Sequence, residues 1–109
     1  METDTLAAEI AFDRTGPELI VSIVGELDAA NAPGFSRQIS EHTRPDDETV
    51  WLDLSGITFC ASPGVSMIVR AHNEALDRGG RAVILRPSTA MLRVLQLCNL
   101  TKGLHIRTV

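Results

Sequence analysis

Val50-Trp51-Leu52-Asp53-Leu54, Ser62-Pro63-Gly64-Val65, Gly79-Gly80 and Ala82-Val83-Ile84-Leu85 decide the fold, because a β-prone apolar run gives way to a helix and then returns. Ser62 is a good N-cap, and Pro63 fits the first helical position, where its missing N–H costs nothing. Val65, Ile68, Val69, His72 and Leu76 follow at helical spacing and form one expected apolar stripe. Gly79-Gly80 stops the helix. A strand–helix–strand unit of this kind pairs its strands in parallel through a right-handed crossover.

The pattern continues on both sides. Toward the N-terminus, Ala8 to Phe12 alternates weakly as a short edge strand, and Leu19 to Val24 is a strong strand ending at Gly25. Asn31 is placed to cap a helix running to about His42, with Pro33 in its first turn and Phe35 and Ile39 on its inner face. Pro45-Asp46-Asp47 reads as a solvated turn. Toward the C-terminus, Pro87-Ser88 opens a third helix with Met91, Leu92, Leu95 and Cys98 facing inward. Leu104-His105-Ile106 closes the chain as a last strand. The expected architecture is α/β: a mixed, mostly parallel sheet of four to five strands packed against helices. The whole chain, residues 1–109, reads as one domain with its core from about 8 to 107. Partners of such sheets bind at the loops beyond the strands' carboxyl ends. Here those loops run from Gly25 to Asn31 and from Phe59 to Gly64.

Composition narrows the function. A hydrophobic fraction of 44% with 22% charged residues fits a soluble globular protein. The net charge of -4, without a basic cluster, argues against nucleic acid and anionic membranes as partners. No apolar run is long enough to span a bilayer, and the acidic Met1–Asp4 start lacks the features of a secretory signal, so a cytoplasmic location is expected. Cys60 and Cys98 lie far apart in apolar surroundings and read as two reduced core thiols. His72 reads as a half-buried histidine making one hydrogen bond. No cluster has metal-ligand spacing, and no cofactor is implied.

Two catalytic readings fail on their motifs. Asp53-Leu54-Ser55-Gly56 has the Asp-x-x-Gly form found in GTPases, but no phosphate-cradling Gly-rich loop accompanies it. Ser62 sits in a strand-to-helix turn, as hydrolase nucleophiles do. Cys60 stands where the nucleophile-elbow pattern needs its first glycine, and Pro63 removes an N–H that would help form an oxyanion hole. No histidine follows an acidic partner in a triad order. The chain is therefore not expected to be an enzyme.

Taken in order, three groups of residues resemble those of a STAS domain, the fold of bacterial anti-sigma factor antagonists and of the cytoplasmic tails of sulfate-type anion transporters. They are Val24-Gly25-Glu26-Leu27-Asp28, the run from Val50 to Phe59, and Ser62-Pro63-Gly64-Val65. Gly79-Gly80 and Asn99-Leu100 before the later strands agree. The resemblance spans about Leu19 to Ile106. It implies that Ser62 matches a serine phosphorylated by an anti-sigma factor that is also a serine kinase, and that a phosphatase resets it. It also implies that Asp28 lies near this serine on a partner-binding surface, expected to comprise Glu26, Asp28, Asn31, Ala61, Ser62, Pro63 and Gly64. Two residues depart from the family pattern: Ala61 stands where an acidic residue usually precedes the serine, and Pro63 where Ser or Thr often follows it. The Ala61 departure bears on kinase recognition and not on the fold.

The expected function is that of a free-standing, monomeric anti-sigma factor antagonist. The alternative is a STAS-type scaffold module in another signalling complex, not regulated through Ser62. The chain begins with Met1 and has no membrane span, which sets a transporter tail behind both.

Overall fold

The computed structural model describes residues 8–108, so the acidic Met1–Asp4 start lies outside it. Five strands and three helices alternate as expected: β1 Ala8–Thr15, β2 Glu18–Leu27, α1 Ala32–His42, β3 Thr49–Cys60, α2 Ser62–Asp77, β4 Arg81–Leu85, α3 Thr89–Leu97 and β5 His105–Arg107. The sheet runs β1-β2-β3-β4-β5. β1 and β2 form an antiparallel hairpin, and the remaining three pairings are parallel. A helix connects each parallel pair, as the geometry of parallel strands requires.

Alternation along the strands gives the sheet two different faces. Leu19, Val21 and Ile23 of β2, Val50, Leu52 and Leu54 of β3, and Ala82 and Ile84 of β4 point to one side. There they form one buried cluster with Ile39 of α1, Met67, Ile68 and Ala75 of α2, and Met91 and Leu95 of α3. The opposite face carries Trp51, whose Nε1 donates to Glu18 Oε1 at 2.8 Å and whose ring lies 5.3 Å from the Arg107 guanidinium.

The two strands that end at the candidate site are longer than the sequence pattern suggests. β2 does not stop at Gly25 but continues to Leu27, and β3 runs six residues past Leu54. Polar and glycine positions interrupt the alternation there, yet the ladder persists through irregular register between Ser22 and Val24 and between Gly25 and Glu26. Gly25 has φ +104, a conformation that permits a bulge where a bend was expected. A Cβ on Gly56 would collide with the Val24 side chain and come within 3.3 Å of its Cα, so glycine at this position lets β3 lie close against β2.

Three expectations about burial are overturned. The inner face of α2 is Gly64, Met67, Ile68 and Ala75, while Leu76 is half exposed. Ile68 of the expected stripe is buried and Val65 packs against the core, but the inner face is shifted by about one residue toward Gly64, Met67 and Ala75, which leaves Leu76 outside it. Cys98 is exposed: it is the C-cap of α3, one residue beyond the last helical turn. Asp47 is not a solvated turn residue but is buried at 3% exposure. Its carboxylate accepts from both terminal nitrogens of Arg14 and from the Arg44 N–H, tying β1 to the α1–β3 connection.

The Arg14 guanidinium holds the Asp47 carboxyl below its usual range, against the opposing effect of burial. A depressed carboxyl contributes stability that is present above its unfolded pKa, about 4, and is lost as pH falls through the lower folded value. Asp47→Asn is accordingly expected to lower the thermal midpoint by several degrees at pH 7. The gap to wild type should close as pH drops below about 4, as followed by circular dichroism melts across that range.

Candidate functional site

The site forms where β2 and β3 end side by side. Leu27 pairs with Cys60 in the last rung of the ladder, and the Ala61 N–H donates to the Leu27 carbonyl at 2.9 Å. Asp28 and Ser62, the residues that follow these two partners, are thereby brought to the same end of the sheet. Nothing in their sequence separation predicts that closeness; the parallel register creates it.

The β2–α1 loop is held by its own side chains. Asp28 Oδ1 accepts from the N–H groups of Ala30 at 2.9 Å and Asn31 at 3.2 Å. Asn31 returns the contact: its Oδ1 accepts from the Asp28 N–H at 3.0 Å and its Nδ2 donates to the Glu26 carbonyl at 2.8 Å. Asn31 does occupy the N-cap position of α1, but its side chain makes no cap bond because it is used by the loop behind it. Asp28 and Asn31 therefore fix the loop, and Glu26 is the exposed acid beside them.

Ser62 is not the N-cap of α2. Ala61 is, with extended backbone at φ -90 and ψ 172, and its carbonyl accepts from the N–H groups of Gly64 at 2.9 Å and Val65 at 3.4 Å. The reason is tertiary: the Ala61 N–H is already bound to β2, so the chain stays extended through Ala61 and turns helical one residue later. Ser62 is then the first helical residue, and its hydroxyl is exposed and makes no protein hydrogen bond among the described residues. Pro63 sits beside it in the first turn, where its missing donor still costs nothing.

Gly64 sets the approach of α2 to the sheet. A Cβ there would lie 2.6 Å from Cys60 Sγ and 2.9 Å from Leu27 Cβ. Its contribution to the site is thus close packing, which positions Ser62 without exposing Gly64 itself. Burial pushes the Cys60 thiol up to about 11, with a smaller contribution from Cys98. That pairing of a high pKa with burial makes Cys60 an inert core thiol.

The Asp53-Leu54-Ser55-Gly56 motif has a structural explanation. Burial pushes the Asp53 carboxyl up, but the Ser55 hydroxyl and N–H and the Arg86 guanidinium outweigh it and hold it below its usual value. Arg86 donates to Asp53 Oδ2 at 2.8 Å, and the Ser88 N–H donates to the Leu54 carbonyl at 3.1 Å. The motif clamps the β4–α3 connection onto β3. His72 makes no hydrogen bond through Nδ1, contrary to the expected single bond; its ring lies 5.8 Å from that of His105. Among the described residues no group of His, Cys, Asp or Glu could hold a metal ion, and no helix is long and apolar enough to cross a membrane.

One further feature adjoins Ser62 and was not read from the sequence. A groove of about 680 Å³ runs between α1 and α2, with Pro33 and Arg37 on one wall and Ser62 and Arg70 on the other. Its two walls come from segments some thirty residues apart, so no local pattern could reveal it.

This arrangement, a five-stranded, mostly parallel mixed sheet with three helices, is that of a STAS domain. Residues 10–108 match the family model described as Mlab, STAS domain, and the chain belongs to that family. Solved structures share the fold. An anti-sigma factor antagonist from Mycobacterium paratuberculosis superposes with a TM-score of 0.82 at 20% identity, over 94% of this chain and 86% of that one. The anti-sigma factor antagonist SpoIIAA in its unphosphorylated form gives 0.75 at 20% identity, over 92% and 89% of the two chains. The Bacillus cell fate determinant SpoIIAA in its phosphorylated form gives 0.72 at 22% identity, over 92% of each.

Two measurements check the packing of this junction. Gly64→Ala is expected to cost about 1–3 kcal/mol in chemical denaturation, because the new methyl group must displace Leu27 or Cys60. A disulfide thiol reagent is expected to label one cysteine, Cys98, quickly in the native protein, and Cys60 only after denaturant is added.

Proposed function

We propose that this chain is an anti-sigma factor antagonist that docks an anti-sigma factor at the Glu26–Asn31 and Ala61–Gly64 segments and releases it when Ser62 is phosphorylated. The observation that carries this reading is the exposed, unbonded Ser62 hydroxyl at the start of α2, joined through the Ala61–Leu27 hydrogen bond to the acidic loop. The protein acts by binding, in the cytoplasm, and not as a catalyst. Its partner supplies the chemistry: a serine-kinase anti-sigma factor transfers the γ-phosphoryl group of ATP to Ser62 Oγ, releasing ADP and the hydroxyl proton. A phosphatase uses water to return the serine and inorganic phosphate.

The physics of the position suits a switch. A phosphate adds about 1.5–2 negative charges at neutral pH. The first turn of a helix favours an anion, so the domain keeps its fold. At a docked interface the same group is bulky, strongly hydrated and adjacent to Glu26 and Asp28, which already carry negative charge. A penalty of about 3 kcal/mol weakens binding more than a hundredfold.

The second reading, a scaffold module not regulated through Ser62, is favoured by Ala61. Its side chain brings no carboxylate to the residue before the serine.

Ser62→Asp is expected to keep the wild-type circular dichroism spectrum and to bind the cognate anti-sigma factor at least tenfold more weakly, whereas Ser62→Ala binds constitutively in the presence of kinase and ATP. Isothermal calorimetry with the co-purified partner decides the matter. Equal affinities for all three proteins would leave the scaffold reading standing in place of the switch.

A further inference from the structure

The groove between α1 and α2 opens at Ser62, and its charge is unlike that of the chain around it. Pro33, Ser36 and Arg37 line it from α1, and Ser62, Ser66 and Arg70 from α2. The chain carries a net charge of -4, yet two arginines meet in this one groove. Both are exposed. Among the described residues the ion pairs are Arg14–Asp47 and Arg86–Asp53, so neither groove arginine is neutralised by a carboxylate. Hydroxyl groups and free guanidinium groups lining a shared groove make a receptor for a phosphate-like anion.

The directions of the two helices let both cations lean toward the end where Ser62 lies. α1 and α2 each return from the end of one parallel strand to the start of the next, so they run in the same direction. Ser40 Oγ donates to Glu74 Oε1 at 2.9 Å and joins the helices near their far ends. Helical side chains lean toward the N-terminus of their own helix. Arg37 lies four residues after Pro33, about 6 Å of rise, so a leaning arginine brings its guanidinium back to the mouth of the groove. Arg70 lies eight residues after Ser62, about 12 Å of rise, and approaches from deeper in the groove.

We propose that a phosphate on Ser62 is received within the same molecule by Arg37 across the groove, with Arg70 reinforcing it from two turns further along α2. The modified serine then bridges the two helices. This rests on the reading of Ser62 as a phosphoacceptor and adds what happens to the phosphate after transfer. The anion does not wave in solvent but is drawn onto the groove mouth, where it blocks the face that a partner would meet. It also stabilises the domain, because charge-assisted hydrogen bonds tie the second turn of α1 to the first turn of α2.

The charged groups around this position pull in opposite directions. Glu26 and Asp28 from the β2–α1 loop raise the second pKa of a phosphate that faces them; Arg37 from α1 and Arg70 from α2 lower it. Glu41 on α1 and Glu74 on α2 each lie one turn beyond a groove arginine, away from Ser62, and Glu74 also accepts from Ser40. The first turn of α2 lowers the second pKa as well, so the part of the shift that is lost with Arg37 reports the arginine's share.

The test uses the full chain with phosphoserine inserted at position 62 during translation, so neither kinase nor partner is needed. Titration by phosphorus NMR is expected to give a second pKa below the ordinary value of about 6. The thermal midpoint is expected to rise by about 4 °C over the unmodified chain. Arg37→Gln should abolish most of both changes while leaving the unmodified protein's midpoint in place, and Arg70→Gln should remove a smaller part. A second pKa at or above about 6 in the wild-type background, or an equally lowered one in Arg37→Gln, overturns the proposal. Because no partner takes part, either result is separate from the calorimetry that decides whether Ser62 switches docking.

Discussion

A single hydrogen bond organises the functional end of this molecule: the Ala61 N–H to the Leu27 carbonyl, at 2.9 Å. It extends the β2–β3 ladder by one donor beyond the last paired residues. Because of it the chain cannot turn helical before Ser62, and the β2–α1 loop cannot drift from the start of α2. Gly64 completes the junction by letting the helix settle against Leu27 and Cys60 at a distance no side chain would allow. Leu27, Cys60 and Gly64 beside it are buried, and a backbone partner lost next to buried residues is expensive. The position of the serine is thus fixed by the core and not by the serine itself.

That division of labour runs through the site. Residues that look functional in sequence, Asp28 and Asn31, spend their polar atoms on neighbouring backbone and hold the loop in shape. Glu26 and Ser62, by contrast, are left exposed by the fold. The same holds for Asp53 and Ser55, which have the outline of a nucleotide motif and serve instead as a clamp for Arg86 and the β4–α3 turn. Such placements let a small domain keep its recognition surface rigid while most of its polar side chains serve the fold.

Much of this was legible before any coordinates. The order of elements followed from apolar periodicity and from glycine and proline punctuation. The family followed from the order of Val24–Asp28, Val50–Phe59 and Ser62–Val65. The failures share a cause. The extra length of β2 and β3, the rotation of α2 and the burial of Asp47 all depend on partners distant in sequence. Leu76 fits a helical stripe but lies beside the face that α2 buries, and Cys98 fits the stripe of α3 but falls one residue past its last turn.

By itself, then, the sequence determined the class of fold, the parallel connections and the identity of the serine that opens the second helix, since these rest on local preference and spacing. The tertiary structure alone decided that Ser62 lies inside the helix and not at its cap, and that two arginines with no ion-pair partner among the described residues flank the groove beside it. Those facts depend on strand register and on the distance between helices. Both are set by contacts among residues tens of positions apart, which local pattern does not encode.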